Sequence, residues 1–372
     1  MTVQDIITRN FLRLLRAGIF GCEEQIEPVS AWKWKRIYKL SVVHGVSALT
    51  FDGLQKCKQQ FFQQLPDSLW QEWEKCTHEI EARNHTIDLQ VTSLFDLFNK
   101  QQLRPILVGK QSMVALYNEP AHHIPCTIDI FFPFETQGHK ADQWARNNGT
   151  KVNAQEKFKL SYEWNDVSIQ HQHILFSLTN KWLDRQLKSV IEQEIRESTP
   201  VSQIKGSTPV ETLPPTLSLL HLLLQLARQI MNDGLSLNIV ADLALFLRKE
   251  GDKVDYVKLQ DWIEKLRLSK MAHLIGSILI ELLGFETDET PFMQAKRNAD
   301  LSRIIKELLQ PYFTQKSDWY FQQADNILVH ASNSSAMFRQ VRHTASFFSY
   351  YPAESVTNLF AAFAHSLSHI EE

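Results

Sequence analysis

Apolar positions recur every three to four residues along the first hundred residues, and that spacing predicts helices. Ile7, Phe11, Leu14 and Leu15 follow i, i+4, i+7, i+8 and put one apolar stripe on a helix over residues 5–19, among Asp5, Arg9, Arg13 and Arg16. A second helix is predicted from about Ala31 to Leu54, with Trp34, Ile37, Tyr38 and Val42 on one face and Gly45 inside it or just after its first half. Asp67, after Pro66, reads as the N-cap of a run from about Ser68 to Lys100. Its stripe is Ile80, Ile87, Val91, Leu94, Phe95 and Phe98, and it is long enough to admit a break.

The pattern then changes period. Arg104–Gly109 is a short apolar run bounded by Pro and Gly, which reads as a buried strand. A short helix is predicted over Gln111–Tyr117, a second strand over Cys126–Phe132 and a helix over Ala141–Asn148. Lys157–Trp164 and Val167–Phe176 alternate apolar and polar positions around Asn165-Asp166, the pattern of an antiparallel hairpin. Residues 103–178 are therefore expected to form an α/β module of four or five strands. Residues 196–216, rich in Ser, Thr and Pro, read as a loop ahead of a buried helix over 216–231. Helices follow over Leu235–Arg248, Tyr256–Leu266 and Met271–Leu283, and three more are expected over 290–370. No repeat or low-complexity tract interrupts the chain.

Composition narrows the class. The chain has 372 residues, 44% of them hydrophobic and 22% charged, which excludes wholesale disorder. Its net charge of −3 provides no global basic field, so neither nucleic acid nor an anionic membrane is expected as a partner. Trp32-Lys-Trp-Lys-Arg36 reads as a packed helix face with solvated stems. Leu217–Met231 is the most apolar window, but His221, Gln225, Arg228 and Gln229 interrupt it and it is shorter than the ~20 residues of a membrane span. Cys22, Cys57, Cys76 and Cys126 lie far apart and form no CxxC, so isolated thiols in a reducing cytoplasm are expected.

Candidate chemistry centres on Gly109 to Asp129, where a strand ends in glycine, a short helix follows and the next strand carries a carboxylate. This order resembles the polymerase-β-like nucleotidyltransferases. There the glycine admits a triphosphate, and carboxylates at i and i+2 share a strand face and a pair of metal ions. The motifs along roughly residues 5–290 are similar to a bacterial family of uncharacterised nucleotidyltransferases in that superfamily. They are Trp34–Val46 ending in His-Gly-Val, Ala82-Arg-Asn84, Pro105–Gly109, Ala115–Pro120, Thr127-Ile-Asp129 and Leu237–Ala244.

The resemblance implies a helix-rich α+β fold. A nucleotidyltransferase-like mixed-sheet core (101–180) would lie between an N-terminal helical region (1–100) and a C-terminal helical domain (181–372). It implies transfer of a nucleoside monophosphate from NTP·Mg²⁺ to an acceptor that the motifs do not specify. Against the family pattern Gly109 is retained, but Val108 stands for Lys, His123 for Arg, Thr127 for the first Asp, Ser168 for the third acidic residue and Gln170 for His. Asp129 is then the remaining catalytic carboxylate and metal ligand. Gly109, Lys110, Ser112, His123, Thr127 and Ser168 are the implied nucleotide-binding residues. Ser112 sits at a helix N-terminus, where the dipole favours anions. His123, mostly neutral at pH 7, is an imperfect substitute for Arg. One carboxylate is a poor basis for two divalent cations, so transfer is expected to be weak or lost. Mg²⁺ is the cofactor only if the site is active.

The competing reading is a catalytically silent protein whose helical domains bind a partner or small ligand. Any further carboxylate would have to enter the cleft from elsewhere, for example Glu135, Glu163 or Asp166. Val108-Gly-Lys-Gln-Ser112 lacks the spacing of a P-loop. His122, His123, His139, His171 and His173 all fall in the module. His171 and His173 share a strand face by period two and would hold a transition metal given a third ligand. Arg339, Arg342 and His343 precede an aromatic segment, Phe347–Tyr351, for which a C-terminal helix packed on the body is the simplest account.

Overall fold

Helix α1 (Ile6–Phe20) starts where the Asp5 carboxylate accepts the backbone N–H groups of Ile7 and Thr8, at 2.8 and 3.0 Å. It stops at Gly21, whose φ of 68° favours a residue without Cβ. The computed structural model describes residues 5–58, 65–154, 158–205, 208–232, 234–293, 301–309 and 347–357.

The single helix expected over 31–54 is two, α2 (Ala31–Val43) and α3 (Ser47–Lys56). The corner is His44-Gly45, with Gly45 at φ 66°. Its cause is tertiary. The buried His44 ring donates through Nδ1 to the Leu235 carbonyl at 3.2 Å. A Cβ on Gly45 would lie 2.5 Å from Ile124 Cδ1 and 2.6 Å from Asn238 Nδ2. Only bare backbone fits between the sheet module and the C-terminal helices. Helix α4 (Asp67–Lys100) runs for 34 residues without a break. Pro66 takes the cap position and Asp67 lies in the first turn, where its charge favours the helix start but its side chain caps nothing.

The sheet is larger than expected. Strands β1 (Ile106–Val108), β2 (Ile128–Phe131), β3 (Thr150–Asn153), β4 (Lys159–Trp164), β5 (Val167–Gln172), β6 (Val201–Lys205) and β7 (Thr208–Thr212) are ordered β3-β4-β5-β2-β1-β7-β6. The β1/β2, β3/β4, β4/β5 and β6/β7 pairs are antiparallel, while β2/β5 and β1/β7 are parallel. Asn165 and Asp166, both left-handed at φ 48° and 62°, make the expected tight turn of the β4–β5 hairpin. The supposed loop 196–216 contains the β6–β7 hairpin, which joins the sheet beside β1. Thr208, Val210 and Thr212 alternate inward along it, and Lys205 pairs with Asp88 on α4. Strand β2 begins one residue after Thr127.

One face of the sheet is sealed. Leu107, Ile128, Ile130, Ile169 and Leu160 pack under Val91, Phe95 and Phe98 of α4 and under Ala141 and Ala145 of α5 (Glu135–Asn148). On the other face Ile106, Val108 and Phe131 join the core of the helical body. That cover stops near β2, and β5 and β4 present Ser168, Gln170, Ser161 and Lys159 beyond it, none of them buried.

After α6 (Lys181–Glu197) the body is built from α7 (Pro215–Asn232), α8 (Leu237–Glu250), α9 (Tyr256–Lys265) and α10 (Ser269–Leu283). Helix α8 is buried at every position from Leu237 to Leu247, so it is enclosed on all sides. Among the described residues no helix is long and apolar enough to cross a membrane. Of the three helices expected over 290–370, α11 (Leu301–Leu308) and a helical stretch at 352–357 are described. Arg339, Arg342 and His343 lie outside the described residues. The protein is thus a helix-rich α+β fold with a mixed sheet at its centre.

Candidate functional site

Strand β1 ends at Val108 because Gly109 turns the chain sharply, at φ 67° and ψ −153°. That conformation is close to glycine-only. Val108 is paired with Asp129 across β1/β2, and Asp129 with Gln170 across β2/β5. Paired residues share a face, so Asp129 and Gln170 point to the same side, as does Ser168 two positions earlier on β5. The Asp129 carboxylate rests against the Gly109 backbone, where an added Cβ would lie 2.8 Å from Oδ2. Ile128 is opposite Ile169, so Thr127, just ahead of β2, adjoins Ser168 by continuation of the register.

Burial pushes the Asp129 carboxyl up to about 7, with Lys159 and then Lys110 pulling the other way. Among the described residues no hydrogen bond reaches this carboxylate. A carboxyl ordinarily titrates near pH ~3.9. Between that value and 7 the folded chain therefore holds a proton the unfolded chain has released, and stability falls as pH rises through this window. Asp129→Asn removes the penalty. It is expected to unfold like the wild type near pH 4 and to be more stable at pH 8 by on the order of 1–3 kcal/mol, read by denaturant titration at both pH values. Equal stability at pH 8 would show that the carboxylate is solvated.

The other expected site residues separate into two groups. Lys110 begins a 3₁₀ helix, Lys110–Leu116, and acts electrostatically on both Asp129 and Cys126. The buried Ser112 hydroxyl donates to the Gly109 carbonyl at 2.7 Å, so its proton is used inside the turn. His123 goes elsewhere. Its ring is fully buried, edge-on to Tyr117 at 4.9 Å, with Nε2 3.4 Å from Asp242 Oδ1. Tyr117 donates to the same oxygen at 2.7 Å, and Asn84 Nδ2 donates to the Ala121 and His123 carbonyls. The motif segments around residues 84, 117 and 242 thus meet, with His123, in one buried polar knot joining α4, the module and α8.

None of Glu135, Glu163 and Asp166 supplies a second carboxylate beside Asp129. Glu163 shares its face but sits on β4, two strands away, at about 10 Å across the sheet. It is paired with Lys151 at 2.8 Å. Glu135 pairs with His139 at 3.5 Å at the start of α5, on the sealed side, and Asp166 is in the exposed hairpin turn.

His171 and His173 do share a side, but Asp142 bridges them, from Oδ1 to His171 Nδ1 at 3.0 Å and from Oδ2 to His173 Nε2 at 2.8 Å. Tyr162 Oη lies 3.0 Å from His171 Nε2. The two imidazoles hold the Asp142 carboxyl down at about 2 against the effect of burial. Among the described residues no group of three or more His, Cys, Asp or Glu is placed to hold a metal ion. Asp142 instead ties the two rings into a hydrogen-bonded chain. His122 is likewise held by carboxylates, Asp52 and Glu81, each at 2.8 Å, which raise it to about 9 against the desolvation that opposes them.

Lys159 was missed from the sequence. The alternation Lys159-Leu-Ser-Tyr-Glu163 reveals a polar strand face, but nothing local reveals that the face adjoins Asp129.

The family model described as uncharacterised nucleotidyltransferase matches residues 30–284, more than half of the chain. No curated protein and no solved structure matches it.

Proposed function

The chain belongs to the uncharacterised nucleotidyltransferase family, and from that membership we propose that it receives the phosphates of a nucleoside triphosphate on the sheet face around Asp129, with nucleotidyl transfer weak or lost. The observation that carries this reading is the composition of that face. Asp129 stands against Gly109 with hydroxyl side chains at positions 127 and 168, where an active relative would have carboxylates. In the reaction the family name implies, paired divalent ions neutralise charge on the attacking and leaving oxygens. The donors here do not fit such a pair. They comprise one carboxylate, the Thr127 and Ser168 hydroxyls and the Gln170 amide, with two lysines close enough to act on the carboxylate. Hard divalent cations need anionic oxygen, and hydroxyls do not replace it.

Lys110, next to Gly109, supplies a positive charge that a phosphate would meet. Transfer is tested by following pyrophosphate release from each NTP with Mg²⁺. The expected rate is no higher than that of Asp129→Asn. Steady release that this substitution abolishes would overturn the reading.

A restoring experiment probes the same face. Thr127→Asp with Ser168→Asp adds like charges near Asp129, and is expected to lower metal-free stability by on the order of 1–3 kcal/mol. Millimolar Mg²⁺ or Mn²⁺ should recover much of that loss, because a ligand of the folded state alone stabilises it. The wild type should not respond. Thermal unfolding with and without metal reads both effects, and a double variant that melts like the wild type would mean the two positions do not share a site.

A further inference from the structure

We propose that a cavity beside Arg228 binds a small organic anion, a carboxylate on a short apolar body. The cavity is built from residues outside the Asp129 face and does not depend on the nucleotide reading.

The cavity has a volume of about 220 Å³ and opens between the chain after β5, the last turns of α7 and the segment at Tyr351 and Glu354. On α7, Leu224, Ala227, Arg228 and Met231 follow one another at helical spacing and share one side. Leu224 and Ala227 are buried, as are Phe176 and Tyr351, and these four make an apolar floor. Arg228 and Ser177 are exposed and stand at the mouth. An apolar cavity of about 150 Å³ holds benzene. This one has room for a ring and a charged group.

The walls are held in place by side chains of other elements. The Ser177 carbonyl accepts the Arg228 guanidinium, and the Leu178 N–H donates to Asp184 Oδ1 at 2.9 Å. The N–H groups of Thr179 and Asn180 donate to the two oxygens of Glu354, at 2.6 and 2.9 Å. The Tyr351 hydroxyl donates to the Leu266 carbonyl at 3.1 Å and fixes its ring. A loop tied at four successive residues has little ordering left to lose when a ligand enters.

Arg228 decides the sign of the ligand. Its guanidinium lies over the Phe176 ring, 3.9 Å from the centroid, and gives a hydrogen bond to Ser177. Stacking occupies a face of the guanidinium and leaves its N–H edge available. Of the five N–H donors a guanidinium carries, the others have no acceptor among the described residues, and no carboxylate there lies within ion-pairing distance. Glu354 is the one acidic side chain of the lining, and each of its oxygens already accepts a backbone N–H. The cation is therefore unpaired and the anion is satisfied. A ligand carboxylate gains a forked, charge-assisted pair with Arg228. An ammonium finds Glu354 engaged and meets the like charge of Arg228. An inorganic anion would leave the apolar floor bare, so the ligand carries an apolar body.

The test is ligand-observed NMR titration of the full chain with three probes that share one body: phenylacetate, 2-phenylethanol and 2-phenylethylamine. Phenylacetate is expected to saturate with a Kd on the order of 1 mM. The neutral alcohol should bind about tenfold more weakly, the loss of one charge-assisted pair, and the amine more weakly still. Arg228→Gln should weaken phenylacetate about tenfold and leave the alcohol unchanged. Far-UV circular dichroism checks that the variant is folded, and if it is not, the three probes on the wild type decide by themselves. The amine binding as tightly as the acid would overturn the proposal, as would an absence of saturable phenylacetate binding. Equal losses for acid and alcohol in Arg228→Gln would also overturn it, because Arg228 would then only hold the loop.

Discussion

Gly18→Ala is expected to destabilise the protein by roughly 3–5 kcal/mol, although alanine is the better helix former. Gly18 lies in α1 and Gly53 in α3, where the two helices touch backbone to backbone. A Cβ on Gly18 would sit 1.8 Å from the Leu49 carbonyl oxygen, and one on Gly53 would sit 1.8 Å from that of Leu14. Neither obstacle is a side chain that can rotate away. Admitting the methyl group means moving one helix off the other, and Leu14, Leu15, Phe51 and Leu54, all almost fully buried, lose contact when it moves. Helix propensity alone predicts the opposite sign, a gain of about 0.5–1 kcal/mol. The sign of the change therefore decides whether packing or propensity governs this crossing. Gly53→Ala should behave alike. The double variant should cost less than the sum of the two, because helices already spread for one methyl accept the second cheaply. Denaturant unfolding of the three variants measures this, and a strictly additive pair would show that the two glycines do not share one contact.

Gly109→Ala is expected to cost about 2–4 kcal/mol, from two separable sources. The first is backbone. At φ 67° and ψ −153° the residue lies in a region nearly reserved for glycine, worth about 1–3 kcal/mol. The second is the added Cβ, 2.8 Å from Asp129 Oδ2. Asp129 cannot move far, since its strand is paired on both sides, to Val108 and to Gln170. The same substitution made in an Asp129→Ala background keeps the backbone strain and removes the contact, so its smaller cost isolates the first source. Unfolding of the single variants and the pair completes the cycle. If Gly109→Ala is as stable as the wild type, the turn is free to relax and the close approach of Gly109 to Asp129 is not maintained in solution.

Both glycines show how unevenly this fold is written along its chain. Gly109 announces itself, since an apolar run ending in glycine before a short helix is a local signal. Gly18 does not, because its reason to be glycine is a carbonyl on another helix.

The elements that follow from the sequence alone are those whose cause is near in the chain. The stripes of α1 and α4, the alternation of β4 and β5 and the Asn165-Asp166 turn arise from side-chain direction within a few residues. The strand–turn–strand order from Gly109 to Asp129 is of the same kind. What needed the tertiary structure has a distant cause. The corner residue is glycine because Ile124 and Asn238 leave no room for a Cβ at position 45. The β6–β7 hairpin exists because β1 offers an unpaired edge, although its Ser, Thr and Pro read as loop. His171 and His173 share a side, as period two requires, but only the packing of α5 brings Asp142 between them. The candidate site divides in the same way. Asp129, Gly109 and Lys110 were legible from one short stretch, and Ser168 through resemblance. Lys159 reaches their face because β4 and β5 pair beside β2. Alternation along a strand says which residues share a face; long-range pairing decides which faces become neighbours.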